Sequence, residues 1–151
     1  MSNRRAFLDM IAHSEIGAKL LAKSDNGYNI LVGSTPDKPL LFPSYACHPG
    51  ILNVKLNSTA AGRYQLLRRY WYAYSRSLGL HDFGPASQDT IALQQIKECK
   101  ALDDIDAGRF EAAVAKCCRI WASLPGAGYG QHENKLAGLE QAYLIAGGTL
   151  V

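Results

Sequence analysis

Near the start of the chain, Phe7, Met10 and Ile11 fall at i, i+3 and i+4. That spacing predicts an amphipathic helix over residues 4–14. Glu15 follows Ile11 by four positions and Phe7 by eight, so a carboxylate sits on the face expected to be buried. The pattern then changes between residues 15 and 59, a stretch that holds four of the six prolines. Residues 28–32 read as a strand after the turn pair Asn26-Gly27, and Leu40-Leu41-Phe42 as a second, shorter one. Helical periodicity returns from residue 60. A helix over 60–78 puts Tyr64, Leu67, Trp71, Tyr74 and Leu78 on one stripe before Gly79. The next begins at Pro85 and runs to about 100, with Ala92, Leu93, Ile96 and Cys99 inward. A short helix over 101–107 stops at Gly108, one over 109–123 buries Phe110, Val114 and Trp121, and the last covers 133–146. The predicted fold class is α+β: an N-terminal helix and a small β-rich lobe, about 16–59, on a mainly helical lobe, about 60–151, in a single domain.

At 151 residues the chain can bury a substantial core. Its 48% hydrophobic and 19% charged residues are those of an ordinary globular protein. No apolar run approaches the roughly 18 residues of a membrane span. The basic start, Arg4-Arg5, is followed by no apolar stretch of signal-peptide length, so the expected site of synthesis and storage is the cytosol. The four cysteines lack metal-ligand spacing, and Cys99 and Cys117 fall on inward helix faces, as small buried hydrophobes. No metal or cofactor is expected. A net charge of +3 suits a polyanionic partner such as a cell-wall polymer, and is too mild to argue for nucleic acid. The run Arg68-Arg69-Tyr70-Trp71-Tyr72 does not alter that, because on a helix these side chains spread around the cylinder.

Three segments bear on chemistry. The first is His13-Ser14-Glu15. A carboxyl group held against apolar surface resists ionisation and becomes a general acid near neutral pH; the alternative is a frayed helix end turned to solvent. The second is Ser58-Thr59-Ala60-Ala61-Gly62-Arg63-Tyr64-Gln65. Ser58 or Thr59 is a good helix N-cap, and Gly62 in the first turn admits either a close ligand or close helix packing. The third is Gly126-Ala127-Gly128-Tyr129-Gly130-Gln131. A glycine-rich loop that displays one tyrosine and one glutamine suits a sugar, through ring stacking and amide hydrogen bonds. As a phosphate cradle it lacks the lysine and Ser/Thr of a P-loop.

In this order, Arg4-Arg5-Ala6-Phe7-Leu8-Asp9-Met10, Ser14-Glu15, Ser58-Thr59 with Gly62-Arg63-Tyr64-Gln65-Leu66-Leu67, Leu93-Gln94-Gln95-Ile96-Lys97-Glu98 and residues 120–131 closely resemble the endolysin family of bacteriophage lambda and its relatives. The resemblance extends over nearly the whole chain. The Gly62-x-Tyr64-Gln65 element also looks like a signature of the wider lysozyme-like lytic transglycosylases.

The resemblance implies a lysozyme-like fold that cleaves the β-1,4 bond between N-acetylmuramic acid and N-acetylglucosamine in peptidoglycan. It implies transglycosylation rather than hydrolysis. Glu15 matches the single catalytic glutamate, which protonates the glycosidic oxygen and then takes a proton from the C6 hydroxyl of the same muramic acid as a 1,6-anhydro ring closes. Ser58, Thr59, Gln65, Tyr129, Gln131 and Tyr28 are the implied substrate-binding residues. A monomer, held in the host cytoplasm until a separate holin releases it to the wall, is also implied. The chain departs from the family pattern at His13, where a tryptophan is expected, at Ile16-Gly17, at Cys47 and in the loop from Gly17 to Asn26. His13 reads as a packing or solvent-facing residue, and His48-Pro49 as structural. Two further readings stand beside this one: a hydrolytic muramidase in which Asp25 positions water, and a wall-binding prophage remnant without turnover. Asp25 itself reads as a turn residue.

Overall fold

The computed structural model describes residues 2–126 and 133–151. Its helices, in chain order, are α1 (Asn3–Glu15), α2 (Ala18–Ala22), α3 (Arg68–Leu78), α4 (Pro85–Glu98), α5 (Leu102–Asp106), α6 (Phe110–Cys117) and α7 (Leu136–Ile145). Two compact units emerge, one comprising Met1–Glu15 with Ala92–Val151, the other Ile16–Ile91. The second unit starts where the expected β-rich lobe starts and extends well past it.

In the first unit, α1 packs on α7 and on α5, and α5 on α6. Ser2 caps α1: its hydroxyl accepts from the Arg5 backbone N–H at 3.1 Å. Ala6, Phe7, Leu8, Met10, Ile11 and Ala12 are all buried, a wider apolar face than one stripe. Phe7 meets the Phe110 ring edge-on at 6.0 Å, and Phe110 lies 4.8 Å from Tyr143, so the aromatic contacts tie α1, α6 and α7 into one core. Cys99 and Cys117 are buried there, as their helix positions predict. Asp104, nearly buried, is held by Arg109 at 2.8 Å and Lys116 at 2.5 Å.

The expected helix over 109–123 ends at Cys117 instead. Residues beyond it follow as turns, with Trp121 N–H on the Cys117 carbonyl at 3.2 Å and Leu124 N–H on that of Trp121 at 3.0 Å. Trp121 and Leu124 are still buried, so their spacing satisfied a helical pattern without a helix. Likewise α7 starts later than residue 133, because Asn134 bonds elsewhere, as described below.

The second unit holds most of the differences from expectation. Its β structure consists of isolated antiparallel bridges, Ile30 to Leu41, Leu31 to Ala61, Asn53 to Ser58 and Ala61 to Leu66. The predicted segments 28–32 and 40–42 do pair with each other, but too briefly to make strands. Helix α2 stands where only loop was expected.

The expected helix from residue 60 is a correction: α3 begins at Arg68. Ala61 and Leu66 exchange both backbone hydrogen bonds, at 3.0 and 2.9 Å, around a tight turn with Gly62 at φ +86° and Gln65 at φ +53°. Left-handed positions of this kind end helical continuity. Ser58 and Thr59 therefore are not adjacent helix caps, yet Thr59 does cap: its Oγ1 accepts from the Arg68 N–H at 3.1 Å across nine positions. The core of this unit gathers Phe42, Ala61, Leu66, Trp71, Phe83 and Ile91. His48 is structural as expected. Its Nε2–H donates to the Leu66 carbonyl at 2.8 Å, Nδ1 accepts from Gly50 N–H at 3.0 Å, and the ring lies 4.9 Å from that of Phe83.

Candidate active site

Glu15, the last residue of α1, anchors a polar cluster in the first unit. The Ser123 hydroxyl donates to Glu15 Oε2. Ser14 Oγ and Ser123 Oγ are 2.8 Å apart, and Asn134 Nδ2 donates to both the Ser14 carbonyl, at 3.0 Å, and Ser14 Oγ, at 2.9 Å. Asn134 is itself fixed by its N–H on the Ser123 carbonyl at 2.8 Å. A chain of hydrogen bonds thus orients the glutamate from behind.

The electrostatics follow from that packing. Glu15 keeps partial access to solvent, but the surrounding protein strips enough hydration to push its carboxyl above the ordinary glutamate range. The hydrogen bond from Ser123 works against this by favouring the charged form, and burial wins. No second carboxylate takes part in the shift. A partly exposed carboxyl with a raised proton affinity can deliver a proton to a leaving group and later take one back.

Asp25 is an exposed turn residue, in line with its sequence reading. Tyr45 donates to its Oδ2 at 2.6 Å, and its own N–H goes to Asn29 Oδ1 at 2.9 Å. His13 is exposed.

The other sequence-derived site residues fall into four groups. Ser58 and Thr59, both partly buried, line an open cleft of about 510 Å³ in the second unit, with Leu52, Asn57, Arg68 and Arg69. Gln65 is partly exposed and folds its amide back onto the Gly62 carbonyl at 2.9 Å. Tyr28 is buried, and its hydroxyl donates to Asp89 at 2.9 Å. Tyr129 and Gln131 lie outside the described residues.

Tyr28 belongs to a buried polar cluster that the sequence did not reveal. Tyr64 also donates to Asp89, at 2.6 Å, and the Arg63 guanidinium lies over the rings of Tyr28 and Tyr64. Arg63 donates through Nε to the Asn26 carbonyl at 2.9 Å and through Nη1 to the Tyr64 hydroxyl at 3.0 Å. Gln88 accepts from Arg63 N–H at 2.9 Å and donates to the carbonyls of Tyr28 and Phe83, at 3.0 and 2.8 Å. Gly62 is explained here too: a Cβ at this position would run into Gln88 Oε1. Close packing inside the fold, not a ligand, accounts for that glycine.

Ser123, Ser14 and Asn134 escaped sequence reasoning as partners of Glu15. Ser14 and Ser123 stand in segments singled out for other reasons, but they are 109 positions apart and nothing local links them.

Comparison with known proteins agrees with this picture. A family model described as Endolysin matches residues 5–150. The endolysin of Escherichia phage lambda is 52% identical over 153 residues, covering 99% of this chain and 94% of that protein. The endolysin of Escherichia phage P2 is 46% identical, covering 97% and 94%. Among solved structures, bacteriophage lambda lysozyme complexed with a chitohexasaccharide superposes with a TM-score of 0.88 at 50% identity, over 99% of this chain and 96% of that one. That likeness bears out the lysozyme-like α+β fold. Sequence, family model and fold together make this chain a member of the endolysin family.

Proposed function

We propose that this protein is a peptidoglycan lytic transglycosylase, a lambda-type endolysin that breaks the bond between N-acetylmuramic acid and N-acetylglucosamine and leaves a 1,6-anhydro end. The observation that carries the reading is the carboxyl group of Glu15, its proton affinity raised by burial and its oxygen held by the Ser123 hydroxyl. In the first half of the reaction Glu15 acts as an acid and protonates the departing glycosidic oxygen. In the second it acts as a base and accepts the proton of the muramic C6 hydroxyl, whose oxygen bonds to C1 of the same sugar. The nucleophile comes from the substrate, so no second carboxylate is required. Asp25, the acid a hydrolytic mechanism would draw on, is bonded to Tyr45.

The relative solved with a chitohexasaccharide supports an oligosaccharide as ligand. Ser58, Thr59 and Gln65 are the described residues we assign to sugar contact, with Tyr129 and Gln131 from the glycine-rich loop; Tyr28, bonded to Asp89, we assign to holding the fold of the second unit. We read the chain as one lysozyme-like domain acting as a monomer on the wall. No helix among the described residues is long and apolar enough to cross a membrane, in keeping with release by a separate holin. Digestion of purified peptidoglycan followed by mass spectrometry tests the reaction. Anhydro-muramic ends, lighter by one water than reducing ends, are expected, and reducing ends alone would overturn transglycosylation.

A further inference from the structure

Charge is distributed very unevenly along this chain. Between Asp37 and Asp82 there are six lysines and arginines and no acidic residue, in a protein whose net charge is only +3. Among these cations, Arg63 is buried and engaged within the fold. Arg68 and Arg69 are exposed, and both line the 510 Å³ cleft beside Asn57, Ser58 and Thr59. Neither is ion-paired among the described residues. Both are steadied by aromatic neighbours: Arg68 lies 5.4 Å over the Tyr72 ring and donates Nε to its hydroxyl at 3.0 Å, and Arg69 lies 4.9 Å over that of Tyr70.

Two arginines that line one cleft with amide and hydroxyl side chains, each guanidinium stacked on a tyrosine, form a receptor for a planar anion. A stacked guanidinium loses less freedom when it binds than a free one, and its fork matches a carboxylate better than a lysine does. The wall of Leu52 offers an apolar contact next to the charges.

We propose that this cleft is a carboxylate subsite for the peptide stems of peptidoglycan, with Arg68 and Arg69 as the residues that set preference for stem-bearing strands. The inference rests on the reading that peptidoglycan is the substrate, and adds which part of it the second unit recognises. A neutral N-acetylglucosamine oligomer presents no carboxylate, whereas stem-bearing strands present several. Selectivity for wall over chitin-like glycan then comes from charge as well as from sugar shape.

The test compares stem-bearing strands with the same strands after their carboxylates are converted to neutral amides by carbodiimide and methylamine. For the unaltered protein, KM should rise about tenfold on the amidated strands, the effect of roughly one charge-assisted contact, with kcat within about twofold. In the double variant Arg68→Gln, Arg69→Gln the two KM values should converge, and melting should confirm that the variant is folded. A double variant that keeps the original KM ratio would overturn the proposal, as would an unaltered protein that does not distinguish the strands. Sedimentation of the Glu15→Gln protein with the same strands, with and without the arginine changes, reads the ratio from binding alone. If no strand is cleaved, the transglycosylase reading fails, and the binding ratio still decides the subsite.

Discussion

Burial and hydrogen bonding pull the Glu15 carboxyl in opposite directions, and the balance sets its chemistry. Because its proton affinity in the fold is raised, the protonated acid needed for the first step persists above the pH where a free glutamate would have ionised. The rate should therefore fall on the alkaline side as Glu15 loses its proton. Ser123→Ala removes the donor that favours the charged form, so this alkaline limb of kcat/KM should move to higher pH; an unmoved limb would count against Ser123 as the positioning residue. Glu15→Gln should lower turnover by about 10³-fold or more. The same change should affect stability with a definite sign. A carboxyl whose affinity for protons is raised in the fold opposes folding once pH climbs from its unfolded pKa through the folded one. Glu15→Gln should thus raise the melting temperature at neutral pH, with little gain in acid where both states are protonated.

Gln88 shows how one buried amide can hold an element together. It satisfies the Arg63 N–H and two carbonyls at once, so Gln88→Ala removes three buried hydrogen bonds. The expected loss is about 3 kcal/mol or more in urea unfolding, since removing the partner from each such bond costs about 1–3 kcal/mol. Thr59 acts in the same way at smaller magnitude: Thr59→Ala exposes the first N–H of α3 and should destabilise by about 1 kcal/mol. These elements also mark the limit of pattern reading. Helices α1, α4 and α5 lie within a residue or two of their predicted bounds: a continuous apolar face specifies α1 and α4, and the stop at Gly108 delimits the short α5. The turn over 61–66 has the sequence pattern of a helix because Tyr64, Leu67 and Trp71 keep helical spacing through a left-handed break at Gln65. Glycine at 62 was the one local warning. Helix α2 lies in a stretch dense with turn-forming residues and is only five residues long, too short for periodicity to register.

Across the protein, accessibility separates the cysteines. Cys47 is exposed while Cys99 and Cys117 are buried, and burial beside Cys99 pushes the Cys117 thiol well up. Alkylation under native conditions should label Cys47 quickly and leave Cys99 and Cys117 unmodified until denaturant is added; rapid labelling of all the thiols would contradict the packing described. Inward-facing helix positions were enough to anticipate the burial of Cys99 and Cys117. The sequence by itself also determined the family, through long matched segments, and the identity of the one glutamate at the end of an apolar face. Tertiary structure alone decided what surrounds that glutamate. Ser123 and Asn134 come from a distant part of the chain to bond Glu15 and its neighbour Ser14, Tyr28 is committed to Asp89, and Arg68 and Arg69 share a cleft with Ser58 and Thr59. Periodicity reports the face a residue presents within a few turns of its own element. Proton affinity and ligand reach depend on groups brought close by folding, and those contacts leave no local trace.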